Sequence, residues 1–410
     1  MSLRTDAETI YQSAIRASLP DRAVQDALTG WQPPARRTIV LAVGKAAWRM
    51  AQAAQQALGK QISAGLVVTK YGHSEGPLDG IEIIEADHPV PDENSVRAAQ
   101  RALLLTQNLT AQDTVLLLIS GGGSALFELP RIELDELQHI TQRLLASGAD
   151  ITEINTVRKR LSAVKGGQLA AHCAPAHVEA LLLSDVLGDK PDTIASGLSA
   201  VDATAGDSAL PIAERYGLPL STQAHACLAQ PLPQALPHVH NRVIGGVSML
   251  CHHAADACAA LGYRVEILTE SLCCTARDAG IFLANIAQHY AGRGEKRAFL
   301  TGGETVVRLT GQGKGGRNQE LALAAAEGLR GLAGAAVFSV GSDGTDGPTD
   351  TAGGYVDGST YDTLRAQGIS IPQVLADNDA YHVLRACGGL IVTGATGTNV
   401  NDLSALLIEN

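Results

Sequence analysis

Two places in this 410-residue chain set a cation where a helix should begin. In AVGKAAW, Lys45 follows Gly44 at the end of an apolar run; in GQGKGGRNQE (311–320), Lys314 and Arg317 precede the helix-like LALAAAEGL. A positive side chain at a helix N-terminus opposes the macrodipole by about 0.3–1 kcal/mol. A solvated lysine is the plain reading of one such residue. Two in the same disfavoured position point to a bound anion, held by helix N–H groups and neutralised by the side chains. Gly311, Gly313 and Gly316 also satisfy G-x-G-x-x-G, so hydride transfer on a dinucleotide competes with phosphate handling of another kind.

Further chemistry-bearing residues gather after apolar runs. LLISGGGSALF places Ser120, Gly121, Gly122, Gly123 and Ser124 together, a donor-rich concavity suited to phosphate oxygens, although glycines also serve any tight turn. LLSDVLGDKPDTIASG carries Asp185 and Asp189, and SDGTDGPTD carries Asp343, Asp346 and Asp350. The latter does not fit an EF-hand, yet Mg²⁺ needs only one or two carboxylates beside substrate phosphates. Glu304, in TGGET, is a further candidate. Asn155, Arg158 and Lys159 fall in a helical pattern, with Asn155 and Arg158 on one face. Arg suits a bidentate grip on a carboxylate; a solvated basic face is the alternative. His88, in ADHPVP, either lines a site or steadies its loop. Neither Gly44-Lys45 nor Gly313-Lys314 continues into the Ser/Thr of a Walker A loop.

The elements that must position these residues alternate along the chain. TIVLAVG, SAGLVVTK, IEIIEAD, DTVLLLIS and VEALLLSDV read as buried parallel strands separated by helices, including a long helical stretch over 151–173. After the proline-rich QPLPQALPH (230–238), a linker candidate, come NRVIGGV, YRVEILTE, AFLTGGE, VVRL, AAVFSVGSD and GLIVTGATG. In an open parallel sheet, ligands bind beyond the carboxyl ends of the strands, where the glycine and charge clusters fall. The length suits two domains. Apolar residues at 45% and charged residues at 18% suit a well-packed globular protein. A net charge of −11 and 3% aromatics argue against nucleic acid or an anionic membrane as partner. The N-terminal residues lack a signal-peptide pattern, which leads us to expect a cytoplasmic protein. Among seven cysteines there is no C-x-x-C, and Cys251 and Cys258 read as helix-packing thiols.

Eight blocks, in order, carry a resemblance: VGKAA (43–47), EADHPVPDENS (85–95), LISGGGSALF (118–127), INTVRKRLSAVKGGQLA (154–170), LLLSDVLGDKPDTIASG (181–197), LTGGETVV (300–307), GKGGRNQELALAAA (313–326) and SDGTDGPTDTAGG (342–354). Together they resemble the class II glycerate kinases, whose C-terminal part is the MOFRL domain. The resemblance implies an α/β protein: a Rossmann-like parallel-sheet domain plus a second α/β domain with a mixed sheet, the active site lying in the cleft between them. Domains over 1–235 and 236–410 follow, with the MOFRL region near 296–405. It also implies ATP-dependent phosphorylation of D-glycerate, most often at the 2-hydroxyl, with Lys45 and Arg317 matching the family's catalytic pair.

Phosphoryl-transfer logic then distributes the other residues. Ser120, Gly121, Gly122, Gly123, Ser124 and Lys314 hold nucleotide phosphates. Asp189 takes the hydroxyl proton, Asp185, Asp343, Asp346 and Glu304 are candidates for Mg²⁺, and Asn155, Arg158, Lys159 and His88 hold the substrate. The partners are ATP and a small hydroxy acid, and a homodimer is compatible with this reading. The rival is an NAD(P)H-dependent hydroxypyruvate reductase, resting on the glycine pattern at 311–316. It lacks an acidic ribose ligand about 20 residues on.

Overall fold

The computed structural model describes residues 2–33, 36–203 and 209–409. The chain divides into two compact units, Pro20–Ile244 and a second made of Met1–Leu19 with Gly245–Asn410. The division differs from one near residue 235 in two respects. The strand after the proline-rich stretch completes the first sheet, and the N-terminal helix Leu3–Ala17 packs with the later unit. Asp6 explains the second. It is 1% exposed, accepts a hydrogen bond from the Tyr263 hydroxyl at 2.8 Å, and pairs with Lys296 at 3.2 Å. A buried carboxylate stripped of such partners is costly. Conversely, Asp6→Ala leaves the tyrosine hydroxyl without its acceptor and should lower unfolding stability by about 2–3 kcal/mol, read from urea titration.

The first unit is built on a six-stranded sheet: β1 (Arg37–Val43), β2 (Ile62–Lys70), β3 (Ile81–Ala86), β4 (Asp113–Ile119), β5 (His177–Leu183) and β6 (Val239–Gly245), in the order β3-β2-β1-β4-β5-β6. The pairs β2/β3, β1/β2, β1/β4 and β4/β5 are parallel. β1, β4 and β5 are buried at nearly every position, because helices cover both faces of a parallel sheet. The long helical stretch expected over 151–173 is two helices, Ile151–Leu161 and Gln168–His172. Gly166 and Gly167 between them have φ of 60° and 83°, which an α-helix does not accommodate.

The second unit holds β7 (Arg264–Leu272), β8 (Arg297–Gly303), β9 (Ala335–Gly341), β10 (Gly353–Asp357), β11 (Leu390–Ile391) and β12 (Asp402–Ile408), in the order β11-β10-β9-β12-β8-β7. Only β7/β8 is parallel among the pairs described; the rest are antiparallel, so the sheet is mixed. Its two central strands are β9 and β12. VVRL, which reads as a strand, makes a single isolated bridge at Val306 instead. Cys251 and Cys258 are buried on the helix Val247–Ala260, as expected of packing thiols. No helix among the described residues is long and apolar enough to cross a membrane.

Candidate active site

In the first unit, the predicted residues converge at the carboxyl ends of β1, β3, β4 and β5. The hinge is Gly44, at φ 126°, where a Cβ would overlap Ser120. That close approach lets the turns after β1 and β4 interlock. The Lys45 amide donates to the Gly121 carbonyl at 2.9 Å, and the Ala46 amide donates to the Ser120 hydroxyl at 3.1 Å. Gly121 lies against the Asp185 carboxylate, which leaves no room for a side chain there. Gly122, at φ 84°, faces Lys45 and His88, whose carbons lie 3.2–3.3 Å from where its Cβ would stand. The three glycines are therefore needed for packing, and the packing itself sets Lys45, His88 and Asp185 around the loop.

Lys45 makes no side-chain ion pair or hydrogen bond among the described residues. His88 is pushed down to about 4 by burial and by the neighbouring Lys45 and Lys70, so its imidazole is neutral at physiological pH. This end of the sheet thus presents an unpaired ammonium, a neutral imidazole and a carboxylate around a glycine turn. Asp189 stands on the same loop as Asp185, after β5, in a left-handed conformation at φ 50°.

The helix Ile151–Leu161 contributes two different faces. Asn155 and Arg158 turn toward the glycine loop: Arg158 Nη2 donates to the Ser124 carbonyl at 3.1 Å, and Asn155 Oδ1 accepts from Ser196 at 3.3 Å. Lys159 turns the other way. Its Nζ, 3% exposed, lies 2.8 Å from Asp202 and 3.6 Å from Asp192, so it is an internal ion pair and stands apart from the other substrate candidates.

In the second unit the glycine-rich segment 311–316 is stapled to the segment after the helix Ile371–Ala376. The Thr310 and Gly311 amides donate to Asn378 Oδ1 at 2.8 and 2.9 Å, Gly313 N to the Asp377 carbonyl at 2.8 Å, and Lys314 N to Asp379 at 3.0 Å. A Cβ at Gly311 or Gly313 would overlap residues 377–379. The G-x-G-x-x-G spacing thus records backbone-on-backbone packing, and among the described residues no strand leads into it. Lys314 Nζ lies over the Tyr381 ring at 4.4 Å.

Arg317 opens the helix Arg317–Ala325, as its position in the sequence suggests, and the anions beside it belong to the protein. Its Nε donates to Asp402 Oδ2 at 2.5 Å, Nη2 to Asp402 Oδ1 at 3.0 Å and Nη1 to Glu304 at 2.8 Å. Asp346 accepts from the Asn318 and Gln319 amides at 3.1 and 2.9 Å, filling the helix N-terminus. Burial works against the Arg317 charge, but Asp402, Glu304 and Asp346 together hold its pKa above the ordinary value. Asp402 escapes notice in the sequence because DLSALLI carries no motif; only the ladder that makes β12 central brings it to Arg317.

Burial pushes the Asp346 carboxyl up to about 6. An acid whose folded pKa exceeds its unfolded value stabilises the fold fully below about 4, and that contribution is lost as pH rises through 6. The stability difference between wild type and Asp346→Asn should therefore shift against wild type by about 2–3 kcal/mol between pH 4 and pH 7. Urea titrations of both proteins across that range check it.

Of the carboxylates with metal-binding chemistry, three have other work. Asp346 caps a helix, Glu304 pairs with Arg317, and Asp343 accepts from the Thr345 amide and hydroxyl at 2.8 and 2.9 Å. Among the described residues no three His, Cys, Asp or Glu side chains stand together as a metal site. Asp185, beside the glycine loop, fits the different pattern of a Mg²⁺ that keeps one carboxylate and takes its other ligands from phosphates and water.

Comparison with known proteins bears on both units. Residues 6–229 match a family model described as a domain of unknown function (DUF4147), and residues 297–402 match the MOFRL family. The D-glycerate 2-kinase of Thermotoga maritima is 51% identical over 413 residues, covering 99% of each chain. The glycerate 2-kinase of Pyrococcus horikoshii is 41% identical, covering all of this chain and 98% of its own. A crystal structure of the Thermotoga maritima glycerate kinase aligns with a TM-score of 0.95 at 50% identity over 99% of both chains.

Proposed function

The chain belongs to the MOFRL-containing glycerate kinase family, and from that premise we propose that it transfers the γ-phosphoryl group of ATP to the 2-hydroxyl of D-glycerate. The observation that carries this reading is the full-length similarity to two glycerate 2-kinases, which spans every residue block that forms the candidate site. The unpaired Lys45 at the interlocked glycine turn supports it.

Phosphoryl transfer asks the protein for positioning and charge neutralisation more than for covalent chemistry. The turn Ser120–Ser124 receives nucleotide phosphates, with Lys45 beside it as a positive charge that pairs with no carboxylate among the described residues. We assign Arg317, in the other unit, a catalytic role of its own. Its carboxylate partners hold the guanidinium in one orientation before substrate arrives, which is preorganisation of the kind that favours a charged transition state. Magnesium, when bound with the nucleotide, supplies further neutralisation of phosphate charge, and Asp185 is the residue we assign to it. Asp189 is the carboxylate we assign to the hydroxyl proton. Domain boundaries at Leu19/Pro20 and Ile244/Gly245 define the two bodies in this reading.

The reductase reading rested on the glycine pattern at 311–316, whose packing against residues 377–379 removes that support. One preparation assayed twice separates the two. ADP release from ATP with D-glycerate should be positive, and NADH or NADPH loss with hydroxypyruvate should be absent. The reverse outcome would overturn the kinase.

A further inference from the structure

Arg158 is an anomaly in the first unit. Its Nε is sealed from solvent with no hydrogen-bond partner, its one bond is from Nη2 to the Ser124 carbonyl, and no carboxylate lies within ion-pair distance among the described residues. Its counter-charge is Glu128, completely buried, whose carboxylate lies 3.1 Å from the equally buried Lys165. One carboxylate therefore faces two cations, and Arg158 is itself only half-buried, its Nε sealed while the side chain as a whole keeps some exposure. A partly desolvated positive charge without a matched partner is unfavourable by itself and becomes more favourable when an anion completes it.

Asn155 stands one turn before Arg158 on the same helix face, and its orientation is fixed by a chain of hydroxyls. Ser196 donates to Asn155 Oδ1 at 3.3 Å, so its single proton is committed, and Ser124 must donate to Ser196 across their 2.8 Å contact. The acceptor end of the Asn155 amide is thus occupied. Its nitrogen has no partner among the described residues. Ser196 reaches this place through unfavourable backbone: Ala195 and Ser196 are consecutive left-handed residues with Cβ, at φ 49° and 59°. Each costs about 1–2 kcal/mol, and such conformations survive only where the surroundings require them.

We propose that Arg158 and Asn155 form the fork that takes the carboxylate of the hydroxy-acid substrate, with Ser196 as the positioning residue that aims the Asn155 amide. The fork rests on the kinase reading for the identity of its ligand, and a carboxylate matches it in charge, in planarity and in offering two oxygens to two donors. Lys159, paired with Asp202, takes no part.

Ser196→Gly isolates the positioning role, because glycine accepts a φ of 59° without strain while removing the hydroxyl. The thermal midpoint should stay within about 3 degrees of wild type. The KM for D-glycerate should rise about tenfold, with the KM for ATP within about twofold, a loss typical of one polar contact. Arg158→Gln should raise the glycerate KM by about 100-fold and abolish the preference for D-glycerate over D-glyceramide, its uncharged analogue. An unchanged glycerate KM in Ser196→Gly, or equal rises for both substrates, would overturn the fork. If the wild type shows no turnover at all, the kinase reading fails separately. Calorimetric binding of D-glycerate to wild type and Ser196→Gly then still decides the fork, a matched affinity counting against it and a weakened one for it.

Discussion

Lys45→Ala should lower kcat for ATP-dependent phosphorylation of D-glycerate by about 10³-fold, the scale on which a cation at a transferring phosphoryl group acts. Its thermal midpoint should move by no more than about 2 degrees. The expectation of preserved folding comes from the side chain's surroundings. Lys45 pairs with no carboxylate among the described residues, so its removal strands no buried charge. What anchors the turn is backbone: the Lys45 amide on Gly121 and the Ala46 amide on Ser120 remain in the variant. Activity and stability are therefore separable at this position. A variant that turns over normally would remove Lys45 from the chemistry.

Arg317→Ala should cost as much activity and behave differently in stability. Its guanidinium holds Asp402, 7% exposed at the side chain, by two hydrogen bonds, and Glu304 by a third. Deleting it leaves Asp402 buried without its counter-charge, next to the buried Asp346. The partly exposed position of Arg317 lets solvent screen some of that, so a loss of about 1–3 kcal/mol is expected in urea titration. Adding Asp402→Asn to Arg317→Ala should recover much of the stability and none of the turnover.

The sequence made the first unit legible because parallel strands buried on both faces are continuous apolar runs, and each ends in glycine or charge. Lys45, the triple glycine and Asp185 were all marked in that way, and they do meet. The second unit was harder to read. One of its two central strands, β12, is a short leucine-rich tail without β-branched alternation, and β10 begins on two glycines, so neither resembles a strand until a neighbour supplies the ladder. The cation at an expected helix start marked Arg317, which does open a helix. It required an anion, and the anions are Asp402, Glu304 and Asp346, contributed from distant parts of the chain. Ser196 was invisible for a related reason. Its role depends on two successive left-handed residues that no propensity anticipates. The glycines at 311–316 show the reverse failure, where a short pattern matched a dinucleotide turn although close backbone packing had selected it.

The most direct measurement is phosphorus NMR of a reaction containing the protein, ATP, Mg²⁺ and D-glycerate. The γ-phosphoryl signal of ATP should disappear, replaced by ADP and one phosphomonoester split into a doublet by the single proton on C2. A triplet from the two protons on C3, or ATP left unconsumed, would contradict transfer to the 2-hydroxyl.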